Sequence, residues 1–188
     1  FWKLTAGRRW TDIPEAELTY ESYRQLHGYM GPWDVRKAVY RALFAGAAGA
    51  AYGHNAVWQV WQPGRNPRNV PSPMAWRDAL DRPAARQMRH VRTMLDRFGW
   101  LEPVPEISAA ESAPGGALFA RSRHTGELLC YLPSPQVGTL SSAALATVTS
   151  PAGLLVERFD SATGITVGPL HLPAGLALPW SCLLYTSD

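Results

Sequence analysis

Apolar residues recur at helical spacing in two stretches of the chain. Val35, Val39 and Leu43 repeat every four residues and run up to Gly46, which predicts a helix with one apolar face that closes on a glycine cap. Pro32 and Asp34 suit its first turn. Proline presets the backbone where an N–H is spare, and an acid favours the positive end of the helix dipole. Met88, Val91, Leu95 and Phe98 mark a second stripe, opened by Asp81 and Pro83 and stopped by Gly99. Arg82, Arg86, Arg89 and Arg92 recur along the same helix and read as its solvated face.

Between the helices lies Gly46-Ala47-Ala48-Gly49-Ala50-Ala51-Tyr52-Gly53, nearly devoid of large side chains. Such a run fits a strand crowded by neighbouring backbone. Extension of the first helix into Ala47–Ala51 competes with that, because alanine favours helix. Residues 54–74 then read as a long loop carrying Trp58, Trp61 and several prolines. An extended segment is expected at Ala16–Tyr20. The order strand, helix, strand, loop, helix is the alternation of an α/β protein. It covers about a quarter of the ~250 residues that a complete (β/α) barrel takes.

The pattern changes near residue 100, where short apolar runs are broken by Gly, Pro and Ser. Residues 103–111 look like a linker. Ala117–Arg121 and Glu127–Leu132, with Ser122–Gly126 between them, give a hairpin signal. Further strands are expected at Leu145–Thr149, Leu154–Phe159 and Ile165–Val167, the last two joined by a turn at Asp160–Gly164. Phe119, Tyr131 and Phe159 are expected in the core. Strands at this spacing predict a sandwich. The expected fold class is therefore α/β plus all-β: the last two βα units of a truncated TIM-type barrel over residues 1–102, then a small antiparallel β-sandwich over 103–180.

Residues 181–188 resemble translated adapter sequence and are expected to be an artefactual tail. Phe1 is expected to fall within a longer protein, the signal for a secreted or periplasmic location lying on the missing N-terminal part.

Composition excludes several classes. Among 188 residues, 46% are hydrophobic and 18% charged, which is globular rather than disordered. The net charge of +3 comes almost wholly from scattered arginines, so no basic stripe for nucleic acid is expected. No run approaches the ~18 apolar residues of a membrane helix. Two cysteines, Cys130 and Cys182, are too few for a disulfide scaffold, and Cys130 reads as a small buried residue. Gly-rich phosphate loops, nucleophile elbows and paired-histidine zinc motifs are missing. No cofactor and no metal are expected.

Two segments carry candidate chemistry. Glu17-Leu18-Thr19-Tyr20-Glu21 offers carboxylates, and glycoside cleavage uses a pair of them across the scissile bond. Two glutamates four apart are also common on a solvated surface. Tyr52-Gly53-His54-Asn55-Ala56-Val57-Trp58-Gln59 offers hydrogen-bonding groups beside a flat ring, with Trp61 close by in sequence, which suits a sugar. The competing assignment makes Trp58 and Trp61 core anchors and His54 a satisfied structural histidine.

These segments, together with Asp34-Val35-Arg36-Lys37-Ala38-Val39-Tyr40, Gly46-Ala47-Ala48-Gly49 and Trp76-Arg77-Asp78-Ala79-Leu80-Asp81-Arg82-Pro83, resemble in order and spacing the barrel end of the apiosidase-like glycoside hydrolases. Phe159-Asp160 and Thr163-Gly164 resemble that family's C-terminal module, which carries a collagen-binding label. The resemblance spans residues 12–175 and departs from the family at Leu18, where proline is usual. It implies a (β/α) barrel with an appended sandwich and retaining chemistry on plant cell-wall or related glycans. It also implies that Glu17 is the nucleophile, that Tyr20 and Glu21 line or orient it, and that His54, Asn55 and Trp58 hold the sugar. The acid/base partner would lie before Phe1, so the isolated chain is expected to be inactive. A non-catalytic carbohydrate- or collagen-binding sandwich is the alternative. Aromatics on a flat sheet face after residue 115 would favour it.

Overall fold

The computed structural model describes residues 30–67, 72, 74–105, 117–133 and 154–172. The expected strands at 16–20 and 145–149, the tail at 181–188, and Glu17, Tyr20 and Glu21 all lie outside the described residues.

Four helices and five strands are seen among the described residues. In chain order these are α1 (Pro32–Phe44), α2 (Asn55–Trp58), α3 (Trp76–Ala79), α4 (Pro83–Phe98), β1 (Leu101–Pro103), β2 (Leu118–Ser122), β3 (Leu128–Tyr131), β4 (Leu154–Phe159) and β5 (Thr166–Leu172). The strands form two antiparallel sheets, one ordered β1-β2-β3 and the other β4-β5. The fold is thus a mixture of helices and small antiparallel sheets.

The chain divides into two compact units, one containing Tyr52–Arg86 and the other containing Trp33–Ala51 and Gln87–Asp188. The second unit holds the described apolar core. Val39, Tyr40, Leu43 and Phe44 of α1 meet Val91 and Met94 of α4, Leu101 of β1, Ala120 of β2 and Tyr131 of β3. The helical periods read from the sequence point inward, because each stripe has a sheet residue to bury against. The Tyr40 and Tyr131 rings stack with centroids 5.4 Å apart and planes 12° off parallel, and Phe44 tilts onto Tyr131 at 5.7 Å. Burial raises the Tyr131 hydroxyl to about 12, and the same cause pushes Tyr40 higher still. Arg36, buried in α1, donates to Gln87 Oε1 at 2.7 Å.

Both main helices stop where a glycine makes a left-handed turn. At the end of α1, Gly46 N–H donates to the Leu43 carbonyl and Ala47 N–H to the Ala42 carbonyl, a paired closure that satisfies the last helical acceptors. Gly46 has φ +89°, and a Cβ there would come within 2.9 Å of the Pro103 ring. That closure excludes the helical extension into Ala47–Ala51.

The strand expected at 46–53 is not formed either. Ala47–Ala51 are exposed and irregular, and a Cβ added at Gly49 or Gly53 would meet nothing within 4 Å. A run of Gly and Ala has no side chains to anchor a strand, and no described strand pairs with it.

The β2–β3 hairpin follows the sequence pattern, with Leu118 opposite Tyr131 and Arg121 opposite Leu128. Buried Ser122 organises its turn. Its hydroxyl donates to the Phe98 carbonyl at 2.5 Å and accepts from the His124 and Thr125 amides, so the end of α4 and the hairpin turn share one side chain. Phe119 and Tyr131 are buried and Phe159 packs against the core, whereas Cys130 is only half-buried. Leu101 pairs with Ser122 and Pro103 with Ala120, so β1 runs across residues 102 and 103.

β4 and β5 form a second hairpin with a bulge between Val156 and Arg158. Asp160 closes its turn, accepting from the Ala162 amide at 2.7 Å through Oδ1. The hairpin lies on α4 through Arg97–Glu157 and through a close approach of Gly164 to His90. His90 is buried and titrates below its ordinary value, first because of that burial and then because of Arg89. Asp160 opposes the shift.

Two substitutions test this packing. Gly164 has φ +75°, and a Cβ there would fall 2.3 Å from His90 Nδ1. Gly164→Ala is expected to cost about 1–3 kcal/mol through backbone strain and overpacking, read by denaturant melting and by faster hydrogen exchange in β4 and β5. The Tyr40 hydroxyl is buried without a hydrogen-bond partner among the described residues. Tyr40→Phe is expected to be neutral or to stabilise by about 1 kcal/mol, because it removes an unsatisfied polar group but keeps the stack. The shift in melting midpoint measures it.

Candidate functional site

The segment after Tyr52 folds as a compact cluster in the first unit. His54 has extended backbone (φ −125°, ψ 132°) and caps α2, its Nδ1 accepting from the Ala56 amide at 3.1 Å. An imidazole nitrogen that accepts carries no proton, so the neutral ring bears its hydrogen on Nε2. Two influences keep the ring neutral. Burial is the larger, and the positive charge of Arg82 adds to it. Both lower the His54 pKa. His54 is therefore held as a hydrogen-bond donor through Nε2.

Asn55 and Trp58 occupy the first and last positions of α2, and Trp58 Nε1 donates to Asn55 Oδ1 at 3.4 Å. The indole is 58% exposed. A tryptophan that caps nothing and faces water is not a core anchor, so the competing assignment fails for Trp58. For His54 it holds in part, since the ring does serve the backbone. Trp61 is half-buried, and its carbonyl accepts from the Trp76 amide at 2.9 Å.

The loop expected at 54–74 is thus ordered where it is described. Ala56 and Ala79 are both buried and let α2 pack on α3. Asn66 Oδ1 accepts from the Gln62 amide at 3.0 Å, and Arg77 donates to Gln62 Oε1 at 3.0 Å while its guanidinium lies over the Trp76 ring at 4.3 Å.

Val60 stands in the left-handed region at φ +49° and is exposed. A β-branched residue there costs on the order of 1–3 kcal/mol. The turn that demands it is the end of α2, where Val60 N–H donates to the Val57 carbonyl at 3.0 Å and Trp61 N–H to the Ala56 carbonyl at 2.9 Å, the paired closure also seen at Gly46. Sequence reading missed Arg77 and Val60 and placed Arg82 on a solvated helix face, whereas it precedes α4 and is half-buried. Arg77 and Arg82 stand inside the Trp76–Pro83 segment but gave no sign of a role beside His54 or Gln62, and no pattern announces a left-handed valine.

His54, Asn55 and Trp58 therefore come together on one short helix. Glu17, Tyr20 and Glu21 lie outside the described residues, so their distances to this cluster are not part of the geometry. Among the described residues no group of three His, Cys, Asp or Glu side chains could hold a metal, and no helix is long and apolar enough to cross a membrane.

Comparison with known proteins gives the class. Two solved structures share the fold: a glycoside hydrolase (22% identity, TM-score 0.58), matched over 73% of this chain and 30% of its own, and a glycoside hydrolase family 5 protein from Bacteroides vulgatus (23% identity, TM-score 0.62), matched over 80% and 33%. The chain spans about a third of the length of these structures. No curated protein matches the sequence. The profile of the apiosidase-like catalytic domain matches residues 8–102, about half of the chain. The chain belongs to the apiosidase-like catalytic-domain family.

The cap gives a test local to the site. His54→Ala is expected to cost about 1 kcal/mol of α2 stability, seen as faster exchange of the Ala56 amide. His54→Asn is expected to restore protection, because asparagine caps equally well.

Proposed function

We propose that this chain is part of a retaining glycoside hydrolase acting on plant cell-wall or related polysaccharides, its residues 1–102 forming the end of a (β/α) barrel and 103–180 an appended sandwich. Glu17 is the nucleophile. Tyr20 and Glu21 orient it or line the pocket, and His54, Asn55 and Trp58 hold the sugar. The protein works outside the cytoplasm, secreted or periplasmic, and needs no cofactor.

The observation that carries the proposal is the ordered Tyr52–Gln59 turn inside the family match. It holds a fixed Nε2–H donor and a water-facing indole within one helical turn. A pyranose offers a ring of hydroxyls and an apolar C–H face, which are the complements of those two groups.

In the proposed reaction, the Glu17 carboxylate attacks the anomeric carbon while a second carboxyl protonates the departing oxygen. Water then cleaves the glycosyl-enzyme, with the second group now acting as base. The two carboxyls stand ~5–5.5 Å apart in retaining enzymes. We assign the second one to a part of the protein outside this chain, since the chain spans about a third of the length of the structures it matches.

The binding-only alternative lacks support. Of the aromatics after residue 115, Phe119 and Tyr131 are buried and Phe159 packs on the core, so none described offers an exposed platform on a sheet.

The test uses the longer protein that contains this sequence. Glu17→Gln is expected to lower turnover of aryl glycosides on the order of 10⁴-fold or more. His54→Asn is expected to raise KM while leaving the fold intact, and the 188-residue chain alone is expected to show no turnover. Undiminished activity of Glu17→Gln would overturn the nucleophile assignment, and turnover by the lone chain would overturn the assignment of its partner.

A further inference from the structure

The end of α4 presents a second tryptophan to water. Trp100 follows Gly99, the left-handed residue (φ +66°) that stops the helix, and its indole is 52% exposed. The backbone around it is fixed from several sides. Gly99 N–H donates to the Leu95 carbonyl at 2.8 Å, and Arg123 N–H donates to the Trp100 carbonyl at 3.0 Å. Leu101 next to it is buried and paired in β1. Ser122 holds the Phe98 carbonyl, two residues before Trp100. An exposed indole on a clamped backbone has lost little freedom left to lose, which is the condition for a low-cost binding platform.

Trp100 lines two depressions of different character. One depression, of about 200 Å³, is lined by Leu43, Ala47, Ala48 and Leu95 together with Trp100. The other, of about 440 Å³, joins Trp100 to Asp96, Arg123 and His124. The second depression mixes acceptor and donors. Arg123 is held in place by Glu102, with Nε–Oε2 at 3.2 Å, and Asp96 by Arg92 at 2.7 Å. A flat apolar ring flanked by oriented planar polar groups of both signs suits a neutral pyranose. The sugar's C–H face stacks on the indole while its equatorial hydroxyls both donate to Asp96 and accept from Arg123 and His124. A strongly anionic or cationic ligand finds no net charge of the opposite sign there.

We infer that Trp100, with Asp96, Arg123 and His124, forms a surface subsite for a neutral sugar of a polysaccharide chain and shares no residue with the His54–Trp58 cluster. The inference rests on the carbohydrate assignment above for the class of its ligand. In a polysaccharide-active protein such a subsite holds the polymer near the protein by raising its effective concentration, without touching the bond that is cut.

The experiment titrates the chain with cellohexaose and with xylohexaose and follows tryptophan emission, with circular dichroism as the check on folding. Saturable quenching is expected in the wild type. About tenfold weaker binding is expected in Trp100→Ala, partial recovery in Trp100→Phe, and a smaller loss in His124→Ala. Unchanged binding in a folded Trp100→Ala, or no saturation of the wild type at ~10 mM sugar, would overturn the inference. Binding lost only in Trp58→Ala would overturn it while leaving the hydrolase proposal intact. Binding lost in Trp100→Ala from a protein whose longer form has no glycosidase activity would support the subsite and remove the hydrolase proposal instead.

Discussion

Two tyrosine rings lying face to face hold the second unit together. Tyr40 comes from α1 and Tyr131 from the end of β3, residues about ninety positions apart in the chain. Their contact fixes which face of α1 is inside, and Val39, Leu43 and Phe44 follow because they share that face. Stacked aromatics contribute about 0.5–1.5 kcal/mol beyond their buried area. The larger gain is the apolar surface removed from water around them, which α4 completes through Val91 and Met94.

That contact sets limits elsewhere. α1 has to stop before it meets β1, and Gly46 turns the chain there with no room for a Cβ beside Pro103. α4 has to release its last carbonyls, and Ser122 from the neighbouring hairpin takes one of them. The surface ion pairs add little, since Arg92–Asp96 and Arg123–Glu102 are both largely in water.

In the first unit, order is local and polar. α2 is a single turn, too short to persist by propensity. It is held by the His54 cap and by packing of Ala56 where Ala79 is buried as well. The same cap decides the chemistry of His54. The nitrogen that accepts from the backbone leaves the other as a donor, and burial with Arg82 nearby keeps the ring uncharged. The structural role thus occupies one nitrogen of the ring and fixes the other as the donor.

The sequence by itself determined the elements whose signal is local. The stripes Val35–Leu43 and Met88–Phe98, the glycine stops at 46 and 99, and the turns at Ser122–Gly126 and Asp160–Gly164 stand in the structure at or within a residue or two of their expected places, although β5 runs on to Leu172 where a strand was expected only to Val167. The resemblance to the apiosidase-like family was drawn over residues 12–175, and the family match takes in its part up to residue 102, Tyr52–Gln59 included. What depended on distant partners was decided only by the tertiary structure. The Gly-Ala run at 46–53 had no period of its own, so whether it became strand, helix or loop turned on what lay beside it. Ser122 tying a hairpin to a helix end, the Tyr40–Tyr131 stack, the strain at Val60 and the exposure of Trp100 left no trace in composition or spacing. Each is a relation between residues that the chain brings together only after folding, and a local pattern records one partner of such a pair at a time.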